Sequence, residues 1–258
     1  MTFTNFLSLV HTQAVLSLKA EASRLYLSYL WWLLEPLLFV LVFYVVFSLV
    51  LGNRSENFLL FLMCGKIPFL WFSKSVISAS GSIIQNRGLI GQLDIAKALF
   101  PYTAVQIALY KQWAVFLVLL GVVVGYGLLP EFNWIYLAPL VVVQYLLIIV
   151  CAMVGAILVS YIPDMQMIIN MGITFLLFCS GIFWDVRGIE NTGIQEWLLI
   201  LNPLLFLIEG YRDILMYRSS YNMTHLVVLG AGLSLFLMAL HAFMARNSRN
   251  IAERVITA

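Results

Sequence analysis

Residues 197–208 read Trp-Leu-Leu-Ile-Leu-Asn-Pro-Leu-Leu-Phe-Leu-Ile. The run is apolar enough for lipid, but it is twelve residues long, and a membrane span needs about 20 residues at 1.5 Å each. Asn202-Pro203 divides it, because proline lacks a backbone donor and clashes with the preceding turn of a helix. Broken backbone survives at membrane depth only when it is buried in protein or lines a cavity. The segment 185–223 is therefore expected to form two short helices, about 194–201 and 203–217, that dip into the outer leaflet and return. Such a fold-back leaves an even number of crossings and puts both chain ends on one side.

The flanking sequence agrees with a membrane protein. Of 258 residues, 63% are hydrophobic and 10% charged, too little charge to cover a soluble domain of this size. In lipid every backbone N–H and C=O must be paired within the segment, so long apolar runs are helices. Six spans are expected, at about 31–51, 58–80, 113–129, 134–160, 166–184 and 224–245. The fold class is thus all-α and polytopic, in a single transmembrane domain over 1–258. Residues 1–29 carry an apolar stripe (Phe3, Phe6, Val10, Ala14, Leu18) opposite Asn5, Thr12, Lys19 and Arg24, the pattern of a helix lying in the membrane interface or docking on a partner. They lack the short apolar core and small residues of a signal peptide.

Orientation follows from Lys and Arg. With the N-terminus inside, the inner segments hold eight (Lys19, Arg24, Arg87, Lys97, Lys111, Arg246, Arg249, Arg254) and the outer ones four (Arg54, Arg187, Arg212, Arg218). Both termini are accordingly expected in the cytoplasm. Residues 81–112 form a cytoplasmic connection in which Asn86, Arg87, Leu89 and Ile90 mark a short helix suited to docking on another protein.

Several chemistries lack their signatures. Gly65-Lys66 is followed by Ile67, and Leu60 stands where a P-loop needs its first glycine. His11, His225 and His241 are far apart in sequence, with no metal-binding spacing. Cys64, Cys151 and Cys179 sit singly in apolar runs. No cofactor or metal is expected on this chain, the net charge of +2 does not suggest nucleic acid, and energy for uphill transport must come from elsewhere.

Four motifs in order resemble the type-2 ABC exporter permeases for cell-surface polysaccharides. They are Ser28-Tyr29-Leu30-Trp31 with Glu35-Pro36-Leu37-Leu38; Gly65 to Ser73 (Gly-Lys-Ile-Pro-Phe-Leu-Trp-Phe-Ser); Asn86-Arg87-Gly88-Leu89-Ile90; and Asn202-Pro203-Leu204 with Glu209-Gly210-Tyr211-Arg212-Asp213. The resemblance implies a non-catalytic membrane subunit in the bacterial inner membrane. It implies a homodimer served by two copies of an ABC ATPase that holds ATP and Mg, exporting a polysaccharide (O-antigen or capsule) on an undecaprenyl-type lipid. It also implies a path lined by the first and fifth spans. On those spans Trp32, Phe39, Phe43 and Phe47 share one helix face, and Phe175, Phe178 and Trp184 follow. Stacking of sugar C–H faces on the negative faces of aromatic rings tolerates a sliding polymer; interfacial belts and lipid-facing bulk are the bland alternative.

Lys66 and Lys74 share a face of the second span. Lys74 is a candidate for the path or, equally, for pairing with Glu35. Asn202, Pro203, Glu209 and Arg212 form a candidate outer gate, fixed by an internal ion pair. Gly121-x-x-x-Gly125 would let a second helix approach closely. The alternatives are an exporter of drugs, teichoic acid or small lipids on the same architecture, an integral-membrane transferase, and a passive channel. The transferase lacks a spaced acidic pair on any loop, and the channel lacks a repeated polar face.

Overall fold

The computed structural model describes residues 3–24, 28–46, 57–93 and 95–257. Among these residues there are helices and no strands. The helices are α1 (Phe3–Arg24), α2 (Ser28–Tyr44), α3 (Phe58–Ser80), α4 (Ser82–Gln85), α5 (Arg87–Gln92), α6 (Leu99–Gly125), α7 (Leu137–Tyr161), α8 (Met165–Cys179), α9 (Thr192–Leu201), α10 (Pro203–Leu215), α11 (Met223–Arg246) and α12 (Ser248–Thr257). Four stretches are long and apolar enough to cross a membrane: α3, α6, α7 with its preceding 3-10 turn, and α11; α8 is a shorter apolar helix. The protein is an all-α polytopic membrane protein.

From α3 to α11 the connections alternate between two ends of the bundle. At one end Phe6 packs edge-on against Tyr102 at 5.5 Å, and Tyr102 meets His241 at 5.4 Å. There too Gln166 donates to the Ile77 carbonyl, and the Arg254 guanidinium lies 5.1 Å from the Tyr161 ring. This end, called inner because the charge balance of the sequence places it in the cytoplasm, gathers α1, α4, α5, α12 and the turn between α7 and α8. At the other end Arg218 pairs with Glu131 at 3.0 Å, the Asn133 amide donates to the Arg218 carbonyl, and the Tyr221 hydroxyl donates to the Tyr136 carbonyl. This outer end holds the α6–α7 turn and residues 180–222.

α3 is the central post and packs against α6, α7, α10, α2 and α8. It carries Pro68 in mid-helix, which opens the local hydrogen-bond ladder. Side chains from two neighbours use the carbonyls there: Gln112 of α6 donates to Ile67 and Gln144 of α7 to Pro68. Trp71, almost fully buried, stacks on Tyr145 at 6.3 Å and meets Phe116 edge-on at 6.0 Å. Gly155 lets α7 lie against α3: a methyl there would collide with the Ser80 hydroxyl.

Two boundaries and the setting of α1 differ from expectation. α6 begins at Leu99, so residues 99–112, expected in the cytoplasmic connection, are the first half of one continuous helix. Lys111 and Gln112 broke the apolar run, yet both are satisfied inside the protein, Lys111 by Glu21 and Gln112 by a carbonyl of α3. α8 stops at Cys179, five residues before the expected end of that span, and Gly181 then turns the chain at φ +68°. α1 leans on α6 through buried Val10 and Ala14, with His11 bonded to the Tyr110 hydroxyl at 2.6 Å. Its apolar stripe is covered partly by the chain itself.

Candidate functional site

The outer cap is built around one arginine. Asn202 starts α10: its carboxamide oxygen accepts from the N–H groups of Leu204 and Leu205, both at 3.1 Å, and Pro203 takes the first helical position, where its missing N–H costs nothing. The same Asn202 amide donates to the Cys179 carbonyl and the Ser180 hydroxyl, fixing α10 to the end of α8. α10 then runs through the protein, packed on α3 and α7, with every residue from Leu204 to Leu215 buried except Asp213.

Arg212, 0% exposed, fills the centre. It donates to Glu209 at 2.6 Å, to the carbonyls of Gly181 and Ile182 at 2.7 and 3.1 Å, and weakly to that of Phe61 at 3.4 Å. Its guanidinium also lies over the Phe61 ring, 3.4 Å from the centroid. Planar forked donors suit this convergence of carboxylate, carbonyls and ring face; an ammonium would not serve all of them. Two glycines make the room. A Cβ on Gly65 would sit 2.8 Å from an Arg212 nitrogen, and one on Gly181 would sit 2.5 Å from Leu205 Cδ1. Next to Arg212, the Tyr211 hydroxyl donates to the Gln144 carboxamide oxygen at 2.6 Å.

A second arginine closes the cluster from the loop. Arg187 donates to Asp213, lies 3.6 Å from the other oxygen of Glu209, and stacks on Tyr217 at 3.9 Å. Tyr217 in turn donates to Asp185, and Ser219 to Asp213. Burial pushes the Asp213 carboxyl above its ordinary value, against the pull of Arg187. Of the expected gate residues, Asn202, Pro203, Glu209 and Arg212 are thus brought together. Arg187, Gln144 and Tyr211 complete the cap without having been marked as site residues in the sequence. Gln144 did carry a signal, a carboxamide alone in a long apolar run.

The expected path residues divide. Phe175 and Phe178 are exposed on α8, in a stripe with Met167, Ile168 and Met171. Trp184 lies beyond the helix, where its indole N–H donates to the Phe178 carbonyl at 2.8 Å. On α2 only Trp32 of the expected face has a described side chain. Trp32 is half-buried, bonded to Glu21 and lying under Lys111 at 5.0 Å, whereas Trp31, Glu35, Leu38 and Val42 form the open stripe. At 3.6 residues per turn that stripe is about a quarter turn away. The shift arises because Glu21 and Lys111 capture Trp32. The side chains of Phe39 and Phe43, and the whole of Phe47, lie outside the described residues.

Lys74 pairs with Glu35 at 2.6 Å. Both face a crevice of 240 Å³ that also contains Glu21, Lys111, Trp31 and Trp32. This crevice, at the inner end of α2, α3 and α6, is where Lys74 and Trp32 meet.

At the coupling segment, Arg87 and Leu89 are exposed and Asn86 is half-buried, its amide donating to the Ser82 carbonyl. Ile90 is buried instead. α12 packs against α5 and buries Ile251 and Val255, so Ile90 anchors the coupling helix to its own chain and does not face outward. Gly121 and Gly125 face open space, with nothing within 4 Å of a Cβ at either. Among the described residues no group of three His, Cys, Asp or Glu could hold a metal.

These features define a helical membrane protein with a buried arginine cluster at one end of the bundle and an exposed short helix at the other. The ABC-2 type transporter family matches residues 13–216. The chain is 26% identical over 227 residues to an O-antigen export system permease protein of Klebsiella pneumoniae, covering 85% of this chain and 87% of that one. It is 24% identical over 238 residues to an O-antigen export system permease protein of Myxococcus xanthus, covering 92% of each. It is 30% identical over 212 residues to the polysialic acid transport protein KpsM of Escherichia coli, covering 77% of this chain and 78% of that one. The chain belongs to the ABC-2 type transporter family and is a transporter membrane subunit. That membership implies a separate ATPase partner.

Proposed function

We propose that two copies of this chain enclose one path in the bacterial inner membrane and export a polysaccharide carried on an undecaprenyl-type lipid. Two copies of the ATPase, holding ATP and Mg, dock on the inner face, and the chain itself catalyses no reaction. The membrane is crossed six times with both termini cytoplasmic. The alternation of connections between two ends supports that count, and the excess of Lys and Arg on the inner segments supports that direction. The names of the three relatives support an O-antigen-like or capsular polymer over drugs or small lipids.

The observation that carries this reading is the unpartnered apolar and aromatic surface on α2 and α8, continued outward to a cap that does not cross. Met171 is 73% and Phe175 68% exposed, and a facing copy would turn these surfaces toward a shared path. Sugar C–H faces stack there without fixed hydrogen bonds, so the polymer slides. Closure of the ATPases moves α4, α5 and α1, and the motion reaches the path through α2 and α3. The test is export in a deletion strain complemented with the chain. Polymer should reach the cell surface with wild type, and lipid-linked polymer should accumulate inside without it. Surface polymer that is unchanged by the deletion would overturn the assignment.

A further inference from the structure

Away from the path, the inner end holds an amphipathic crevice between α1, α6, α11 and α12. Its apolar chamber, 780 Å³, is lined by Phe6, Leu7, Tyr102, Leu237, Met238 and Met244. A second chamber of 380 Å³ opens beside it, lined by Gln92, Lys97, Arg249 and Glu253 among others. Lys97 and Ser248 line both chambers, so the two meet at a basic and a hydroxyl side chain. We propose that this crevice binds an anionic phospholipid, with acyl chain in the apolar chamber and phosphate beside Lys97, Ser248 and Arg249.

The geometry has three parts. First, the larger chamber is the size of a small-molecule site, which runs to about 300–1,000 Å³. Exposed Leu7 and Met238 line it, so it opens toward lipid tails. Second, it lies at the level where α6 begins and α11 ends, as the contact of Tyr102 with His241 shows. That is the depth of headgroups, where basic pockets between helices take anionic lipid. Third, the polar chamber carries two cations, Lys97 and Arg249, against one carboxylate, Glu253, among the described residues. His241 faces the apolar chamber with its Nδ1 held by the Leu237 carbonyl. The crevice borders the coupling helix, since Ile90 and Gly91 line the same polar chamber. A lipid seated there would buttress α5 against α12.

The test is lipid binding by the purified permease–ATPase complex in detergent, read by native mass spectrometry while phosphatidylglycerol or phosphatidylcholine is titrated. Wild type should bind phosphatidylglycerol more tightly, at one site per chain. Arg249→Gln should weaken phosphatidylglycerol binding about fivefold, the worth of one basic residue at a membrane surface, and leave phosphatidylcholine unaffected. Met238→Trp, which fills the mouth, should weaken both lipids; if it aggregates, Leu7→Trp on the opposite side replaces it. Equal binding of the two lipids by wild type, or no effect of Arg249→Gln, overturns the proposal. Displacement of phosphatidylglycerol by a lower concentration of polyprenyl pyrophosphate assigns the crevice to the transported lipid and overturns it as well.

Discussion

The two ends of the molecule use charge in opposite ways. At the outer end Arg212 and Glu209 are sealed from solvent, and Arg212 is bonded to three backbone carbonyls on two segments. At the inner end Lys74–Glu35 and Lys111–Glu21 are ion pairs on half-open surface, with 44% and 51% of the Lys74 and Glu35 side chains exposed. A buried pair is held by the desolvation cost of breaking it, whereas an exposed pair is worth little and exchanges readily with water. The outer cap therefore moves as one piece with α3 and α7, while the inner helices are tied by contacts that can be remade. The proposed export, driven by an ATPase at the inner end, needs that asymmetry.

The largest effect expected from breaking the cap is Arg212→Leu. It strands Glu209 and three carbonyls, at a cost of about 3–5 kcal/mol for a severed buried pair. The check is the melting temperature and yield of purified protein, and Glu209→Gln should fall between the variant and wild type. Gly65→Val should follow, because its Cβ enters the space of the guanidinium; overpacking costs about 1–3 kcal/mol and lowers the same melting temperature. Arg87→Glu should leave stability unchanged and uncouple ATP hydrolysis from export. If export survives at the wild-type rate per ATP, α5 is not the coupling element. Removing the whole of 82–100 is a poor test, since Leu99 and Phe100 belong to the core. The smallest effect belongs to Glu35→Gln, where an exposed pair contributes about 0–1 kcal/mol; a loss of several kcal/mol would show that the inner end is as rigid as the cap.

Much of the fold was legible because lipid leaves few choices. The break at Asn202-Pro203 located α9 and α10 to within two residues at all four of their ends, because proline at the first helical position and asparagine as a cap are local chemistry. The Asn202–Arg212 cluster was legible for the same reason, as charges packed within a turn inside an apolar run. What failed was what depended on neighbours. Hydropathy broke α6 at Lys111, and only the fold reveals that Glu21 satisfies that charge. Periodicity placed Trp32 on the path face, but α1 takes hold of its indole and turns Trp31 outward. Ile90 read as a docking residue because nothing in the run 86–93 announces that α12, some 160 residues later, returns to cover it.

Gln144 has a consequence for how the protein is made. Its amide donates to Pro68 of α3 while its oxygen accepts from Tyr211 of α10, so a single side chain joins three helices that leave the ribosome far apart in time. Tyr211 and Arg212 find their partners only after α3, α7 and the turn at 181–182 are in place. Until then the Tyr211 hydroxyl lacks its acceptor and Arg212 has only Glu209 of its own helix to bond, which opposes seating α10 early. The cap thus acts as a proofreading step in membrane insertion: a misthreaded early hairpin leaves the late segment unable to lock.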